Sequence, residues 1–319
     1  MDARAMIVPG QFSNLIKRPH FSLSWTFVVL NILVFAGTSF FFTKWPSVSL
    51  GQGLKDKNFA VSISEMHQQT LDPIERKGTP VPALEALRDH RFWKKVRTFP
   101  FTGDQVQIEK NRAMLLKFQE EYYASSQYQL GLGALETSPW AWVTYQFTHA
   151  SIIHLVGNVL FIFLIISYLE LEVGFFWLVS IYLLGGFGGG LSYLLFEGAG
   201  NMAMVGGSAS ASALMAFLML IKNNKLIPWS YLLAPVPRGY GVIYLPAFFI
   251  FPFYIMSDFI AVLWEPAGLQ SAIAVSAHIG GVFVGLILGI IYLTEEKLKK
   301  YFIRTGVLLE NDLTDEGKI

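Results

Sequence analysis

Long apolar runs alternate with polar segments along this chain of 319 residues. Six of the runs approach the length of about 20 residues that a helix needs to cross a lipid bilayer. They lie near residues 21–42, 150–169, 173–196, 205–221, 241–264 and 271–293. This pattern predicts an all-α membrane protein whose six transmembrane helices form a bundle.

The longest polar segment separates the first two runs and covers residues 44–138. Two stretches within it, residues 82–99 and 105–129, show helical periodicity with charged faces. Glycine and proline residues between positions 46 and 82 predict irregular structure in that part. We therefore expect a large, partly helical extramembrane loop between helices 1 and 2.

The same pattern divides the whole chain into five parts. They are an N-terminal segment (1–20), transmembrane helix 1 (21–43), the loop insertion (44–138), a core of helices 2 to 6 (139–293) and a C-terminal tail (294–319). The first run is too long for the apolar region of a cleaved signal peptide, and no small-residue cleavage site follows it. It is therefore predicted to remain as a membrane anchor.

The composition agrees with an integral multi-pass membrane protein. Hydrophobic residues make up 53% of the chain and charged residues 15%, against about 25% charged in ordinary soluble domains. The net charge is only +1, so we expect no nucleic-acid partner. Cysteine is absent, which excludes disulfides, thiolate metal sites and a cysteine nucleophile.

Positive charge predicts the orientation of the helices, because Lys and Arg collect on the cytoplasmic side of short loops. Arg18 precedes the first run, Lys297 follows the last, and the segment between runs four and five carries Lys222 and Lys225. An even number of spans places both termini on one side. We expect both termini to be cytoplasmic, in a bacterial inner membrane, with the insertion on the outer side.

Polar groups inside the apolar runs indicate where chemistry could occur. Runs two, four and six enter from the predicted outer side, and near that end they carry His154 with Asn158, Ser208, and His278. At about 1.5 Å per residue, all four groups lie some 5 to 15 Å below the surface. Residues far apart in sequence are thus predicted to share one depth.

Helical geometry separates the histidines of the second run. His154 and Asn158 are four positions apart and share a face, whereas His149 is five positions from His154 and is predicted to lie about 140° away around the helix. We therefore expect no two-histidine metal site, and we expect His149 to make a structural hydrogen bond. No metal and no cofactor is predicted.

The reaction that this set of groups suits is acyl transfer. Ser208 is a candidate nucleophile and His278 a candidate base that would remove its proton. The backbone N–H of Ser208 and the side chains of His154 and Asn158 are candidate donors to the oxyanion. Two supporting glycines, Gly206 and Gly207, would let a substrate backbone approach closely.

Each of these residues also has a structural interpretation when it is considered alone. Ser208, with Ser210 and Ser212, is typical of close helix packing in membranes. His278 suits a structural or proton-relay role, and His154 and Asn158 suit hydrogen bonds between helices. The shared depth of the set favours the catalytic interpretation.

Four motifs carry a family resemblance. They are HASIIHLVGN at 149–158, LELEVG at 169–174, GGSA at 206–209 and AHIGGVFVG at 277–285. As an ordered set, these motifs resemble the rhomboid family of intramembrane serine proteases, over residues 21–43 and 139–293.

The resemblance implies a six-helix bundle with a hydrated cavity open to the outer side, a Ser208–His278 dyad, and an oxyanion site at His154 and Asn158. It also implies, as partners, transmembrane protein substrates that are cleaved in or near their membrane segments within the lipid bilayer. Glu170 and Gly174 match the family's ExxxG pattern. Three positions differ from the family pattern, which usually has glycine at Ala209, an aromatic residue at Ser212 and arginine at Ala141.

Two other functions fit parts of the sequence. A rhomboid-like pseudoprotease would bind transmembrane clients in the same cavity without cleaving them. A small channel or transporter would use the histidines as a proton path. The inner halves of runs two, four and six are uniformly apolar, which argues against the channel.

Overall fold

The computed structural model describes residues 4–9, 22–43, 53–133, 138–170, 172–196, 203–222, 225–234, 240–249 and 275–305. In chain order, the helices and strands of these residues are β1 (Arg4–Pro9), α1 (Leu23–Phe41), α2 (Lys57–Thr70), α3 (Ala83–Arg88), α4 (His90–Val96), α5 (Gln105–Tyr123), α6 (Ser126–Leu130), α7 (Ala141–Thr144), α8 (Ile152–Leu169), α9 (Phe175–Phe196), α10 (Ser208–Lys222), β2 (Leu226–Ala234), β3 (Tyr240–Pro246) and α11 (Val275–Arg304). Short 3₁₀ turns cover Glu75–Lys77 and Ala247–Phe249.

Among the described residues, four helices are long and apolar enough to cross a membrane: α1, α8, α9 and α11. Helix α10 is apolar but shorter, with 15 residues. In each of the four long helices, only 28 to 44% of the most apolar stretch of 18 residues is buried inside the protein. Large apolar side chains such as Leu33 and Phe176 therefore face outward, where lipid chains would cover them.

Helices α9, α10 and α11 form the centre of the bundle and meet through small residues. A Cβ atom added to Gly189 on α9 would collide with the Cβ of Ala209, and one added to Gly281 on α11 would collide with the Ala209 carbonyl. Gly285 lies in the same way against Ala213. Glycine is needed at these contacts because the backbones approach more closely than any side chain would permit.

Polar contacts link α1, α8, α10 and α11 at one end of the bundle. Glu170, at the end of α8, accepts a hydrogen bond from the N–H of Ser24 in the first turn of α1 at 3.1 Å. Glu172 pairs with Lys222, the last residue of α10, at 2.6 Å, and its carbonyl accepts a bond from Tyr292 of α11. The first residue of α10, Ser208, therefore lies at the opposite end.

The prediction of an all-α fold is wrong at one place, because β1, β2 and β3 form an antiparallel three-stranded sheet in that order. Residues 240–246 belong to the predicted fifth span but pair with β2, with Trp229 opposite Ile243. The stretch YGVIYLP alternates in exposure and is rich in β-branched and aromatic residues, which favours a strand. Residues 247–249 of that predicted span form a 3₁₀ turn, and residues 250–264 lie outside the described residues.

The last helix is longer than its apolar run. It continues to Arg304, eleven residues beyond position 293, into the predicted C-terminal tail. This extension carries two Glu and three Lys residues, which favour helix, and it has a Glu295–Lys299 pair one turn apart at 2.8 Å.

The insertion folds around a core of its own. Helices α2 to α6 bury a cluster that includes Phe59, Ile63, Phe92, Trp93 and Leu115. The two stretches predicted to be helical do form helices. The prediction of irregular structure between 46 and 82 is wrong over α2, since Phe59, Ile63 and Met66 recur at helical spacing inside flanking glycines and prolines.

Candidate active site

The candidate nucleophile stands at the beginning of a helix. Ser208 is the first residue of α10 and is half-buried. Two residues earlier, Gly206 has a φ of 122°, a left-handed conformation that side chains disfavour. Its N–H donates to the carbonyl of Tyr145 at 2.8 Å, which fixes the turn that leads into the helix.

Gly206 lies directly against the two candidate oxyanion residues of α8. A Cβ atom at this position would lie 2.7 Å from both Cε1 and Nε2 of His154 and 3.7 Å from Nδ2 of Asn158. The polar edge of the His154 ring therefore faces the turn before Ser208. His154 and Asn158 share one face of α8, as predicted, and the Asn158 amide donates to the His154 carbonyl at 3.0 Å. Because that amide carries two N–H bonds, the second can serve another acceptor.

His278 stands on α11 beside the start of α10. The neighbouring Ala277 shares a buried cluster with Ala209 and Tyr193, and Gly281 packs on the Ala209 carbonyl. The structure thus brings the ends of α8, α10 and α11 that carry His154, Ser208 and His278 to one place.

His149 does not belong to α8, which begins at Ile152, so the predicted separation of 140° around that helix is wrong. Its ring lies 5.2 Å from the ring of His154 in an edge-on arrangement. The predicted structural hydrogen bond is present, since Nδ1 lies 3.2 Å from the Phe147 carbonyl and must carry the proton to donate. The described residues contain no group of three or more His, Cys, Asp or Glu side chains that could hold a metal.

The other two serines of α10 are engaged in structural hydrogen bonds. Ser210 donates to the side-chain oxygen of Gln146 at 3.1 Å, and Ser212 donates to the carbonyl of Ser208 one turn earlier at 2.9 Å. Both serines are buried. The stretch therefore separates into Ser208 at the helix start, Ser210 that ties α10 to Gln146, and Ser212 that bonds within the helix.

Sequence reasoning missed Gln146 and Tyr182, which form the floor beneath Gly207. The Tyr182 hydroxyl donates to the Gln146 carbonyl at 3.1 Å, and a Cβ atom at Gly207 would lie 3.0 Å from both groups. A side chain at position 207 would thus crowd both groups. The signal in the sequence was a polar amide four residues before the predicted span at 150–169, and only the structure shows that Gln146 is fully buried.

The positions that depart from the family pattern are also accounted for locally. The methyl group of Ala209 fills the space over Gly189. Ala141 is buried in a small cluster with Leu132 and Tyr145. Of the two residues of the ExxxG match, Glu170 caps the start of α1, and Gly174 begins the turn into α9 by accepting a bond from Leu178 at 3.3 Å.

Outside the bundle, the strongest electrostatic feature is Asp89 in the insertion. Burial opposes its ionisation, but hydrogen bonds from His67 and Arg91 outweigh this and lower the pKa of Asp89 to about 2. The carboxylate lies 3.1 Å from both partners. It joins α2 to the start of α4 and has no contact with the candidate active site.

One comparison with known proteins bears on the geometry just described. A model of the rhomboid domain matches residues 136–295, which is half of the chain and includes every candidate catalytic residue. No curated protein matches the sequence.

Proposed function

Because the chain belongs to the rhomboid family, we propose that it is an intramembrane serine endopeptidase. Its substrates would be membrane proteins cut in or near a transmembrane segment. Carbonyl groups of an intact helix are already hydrogen-bonded and shielded, so a substrate segment must unwind locally before it reacts. Small or helix-breaking residues near the cut site are therefore favoured.

In the proposed reaction, the Ser208 hydroxyl attacks the scissile carbonyl carbon while His278 takes its proton. The resulting oxyanion accepts hydrogen bonds from the Ser208 N–H and from His154 and Asn158. His278 then gives the proton to the leaving amine as the C–N bond breaks. Water, activated by His278, hydrolyses the acyl-enzyme and restores the serine.

The observation that carries this proposal is the position of Gly206. Gly206 has a positive φ two residues before Ser208. The turn that it forms lies against the Nε2 edge of His154 and near the Asn158 amide. A packing serine requires none of these features. An oxyanion site requires donors beside the nucleophile, held by rigid elements.

A transmembrane reporter substrate reconstituted in liposomes tests the proposal. The wild-type protein should cleave it and react with a serine-directed fluorophosphonate probe. Ser208→Ala and His278→Ala should each lower cleavage by at least about a thousandfold. Ser210→Ala is a matched control on the same helix, because its hydroxyl bonds to Gln146 on the packed face, and it should retain cleavage.

Two results would contradict the proposal. Undiminished cleavage by both Ser208→Ala and His278→Ala would exclude the dyad. A wild-type protein that neither cleaves nor reacts with the probe, yet retains bound transmembrane clients, would identify the pseudoprotease instead.

A further inference from the structure

The insertion and the candidate active site meet at two residues just ahead of Ser208. Ala203 donates its backbone N–H to the Tyr122 hydroxyl at 3.0 Å, and its carbonyl accepts a hydrogen bond from the Gln127 side chain, also at 3.0 Å. Both partners come from the insertion, one from the end of α5 and one from α6. They satisfy both backbone groups of Ala203.

The next residue is held by the chain that leaves the insertion. Met204 and Leu132 form an isolated antiparallel bridge, and each donates its N–H to the other's carbonyl at 2.9 Å. The Met204 side chain packs against the buried cluster of Ala209, Ala277 and Tyr193. Two members of that cluster are direct sequence neighbours of Ser208 and His278.

The position of Tyr122 is itself set by the insertion core. Its side chain is buried in the same cluster as Leu115 and Phe118, and its ring lies 5.3 Å from the ring of Tyr128. Burial raises the pKa of Tyr122, so the hydroxyl stays protonated. The core of the insertion therefore holds the Tyr122 hydroxyl in position for its hydrogen bond with Ala203.

We propose that the insertion positions the catalytic serine, with Tyr122 and Gln127 as the side chains that hold Ala203 and Leu132 as the residue that holds Met204. Gly206 and Ser208 follow within five residues, and the N–H of Gly206 is held by the Tyr145 carbonyl. Ala203, Met204 and Gly206 are thus each anchored, and only Gly206 would keep its anchor without the insertion contacts. A change in the insertion that moves Tyr122 or Gln127 would then change the reactivity of Ser208. This inference rests on the proposed protease function.

The test compares Tyr122→Phe with Tyr123→Phe in the full-length protein in detergent. Tyr122→Phe leaves the Ala203 N–H without its acceptor, whereas the Tyr123 hydroxyl bonds to Gln119 within the insertion. The rate of fluorophosphonate labelling should fall roughly tenfold in Tyr122→Phe, since misplaced reacting groups slow the reaction steeply. Tyr123→Phe should stay within about twofold of wild type. In reporter cleavage, Tyr122→Phe should lower kcat and leave KM unchanged.

A second pair guards against misfolding of the first variant. Gln127→Ala removes the donor to the Ala203 carbonyl from the insertion surface, and Gln129→Ala removes a similar side chain that bonds to the Tyr123 carbonyl. Gln127→Ala should slow labelling severalfold, and Gln129→Ala should not. Hydrogen exchange should speed up at the amides of 203–206 in Tyr122→Phe and Gln127→Ala alone.

The outcomes separate the two proposals. Equal labelling of wild type, Tyr122→Phe and Gln127→Ala overturns the positioning role and leaves the protease intact. An unlabelled wild type overturns the protease, and hydrogen exchange then decides the contact by itself. Unchanged hydrogen exchange at 203–206 in both Tyr122→Phe and Gln127→Ala would overturn the positioning role of the insertion.

Discussion

The insertion and the membrane bundle both have a core of large side chains, and they differ at their surfaces and at their closest helix contacts. In the insertion, Phe92, Trp93 and Leu115 are fully buried, and charged residues lie outside. In the bundle, glycines occupy the contacts between α9, α10 and α11, while Phe176 and Leu195 are exposed. Water drives large apolar groups inward. Lipid provides no such drive, so close helix contacts and polar pairs such as Glu172–Lys222 help to hold the bundle together.

The start of α1 also differs from the helix starts of the insertion, whereas α8 is capped locally by Ser151. In the insertion, Asp56, Asp104 and Ser125 cap the helices that follow them in sequence. In the bundle, the Ser22 side chain bonds to Ser24, and the first turn of α1 takes Glu170, which lies 146 positions away, as its acceptor. A local cap is readable from sequence, and a distant one is not.

The largest effect is expected in the insertion core. Phe92→Ala removes a fully buried ring and should destabilise the insertion by about 4 kcal/mol. Hydrogen exchange and limited proteolysis should show α2 to α5 opening while α9 to α11 stay protected. Loss of protection in both regions together would mean that they do not have separate cores.

The complementary change is in the bundle. Gly281→Val places a side chain against the Ala209 carbonyl and should cost about 3 kcal/mol, measured by detergent-induced unfolding. Gly37→Ala on α1 is the matched control, because nothing lies within 4 Å of the added Cβ, and it should be neutral or slightly stabilising. Equal loss of stability in Gly281→Val and Gly37→Ala would contradict the role of Gly281 in the close approach of α10 and α11.

A smaller effect should appear on acidification. The pKa of Asp89 is lowered from 3.8 to about 2, so its stabilisation is present above about pH 4 and is lost as the pH falls toward 2. This should remove about 1.5 kcal/mol from the stability of the insertion, because solvent screens the partly exposed carboxylate. Asp89→Asn should flatten that part of the pH profile, measured by hydrogen exchange at α2 and α4. An unaltered profile would contradict the assignment.

The smallest effect concerns a local cap. Asp56 accepts from the N–H groups of Asn58 and Phe59, and Asp56→Ala should cost about 1 kcal/mol. Asp72→Ala, at an exposed position between helices, should change stability by less than about 0.5 kcal/mol. Thermal unfolding measures both variants, and equal stability of Asp56→Ala and Asp72→Ala would contradict the capping role of Asp56.

Sequence patterns predicted the elements whose signal is local. The apolar runs gave α1, α8, α9, α10 and α11, and helical periodicity gave α3 to α5. They failed at residues 240–246, because an apolar run of aromatic and β-branched residues fits a strand as well as a membrane helix when a partner strand is present. They also failed at α2, where flanking glycines and prolines obscured a regular repeat.

The candidate site was predictable in its members but not in its support. Ser208, His278, His154 and Asn158 are polar residues in apolar runs, and this contrast is visible in the sequence. The contacts of Gln146, Tyr182 and Tyr122 join residues 36 to 81 positions apart. No periodicity records such contacts.

By itself, the sequence determined that the chain is a membrane protein with a polar insertion, and it identified which polar residues stand out in the apolar runs. Hydrophobicity and helical period are properties of neighbouring residues, so they can be recognised in the sequence without knowledge of the tertiary structure. Only the tertiary structure decided that the insertion reaches the turn before Ser208, that residues 240–246 pair as a strand, and that His149 lies beside His154. Each of these depends on the partner that a segment meets, and such partners are brought together by packing across the whole chain.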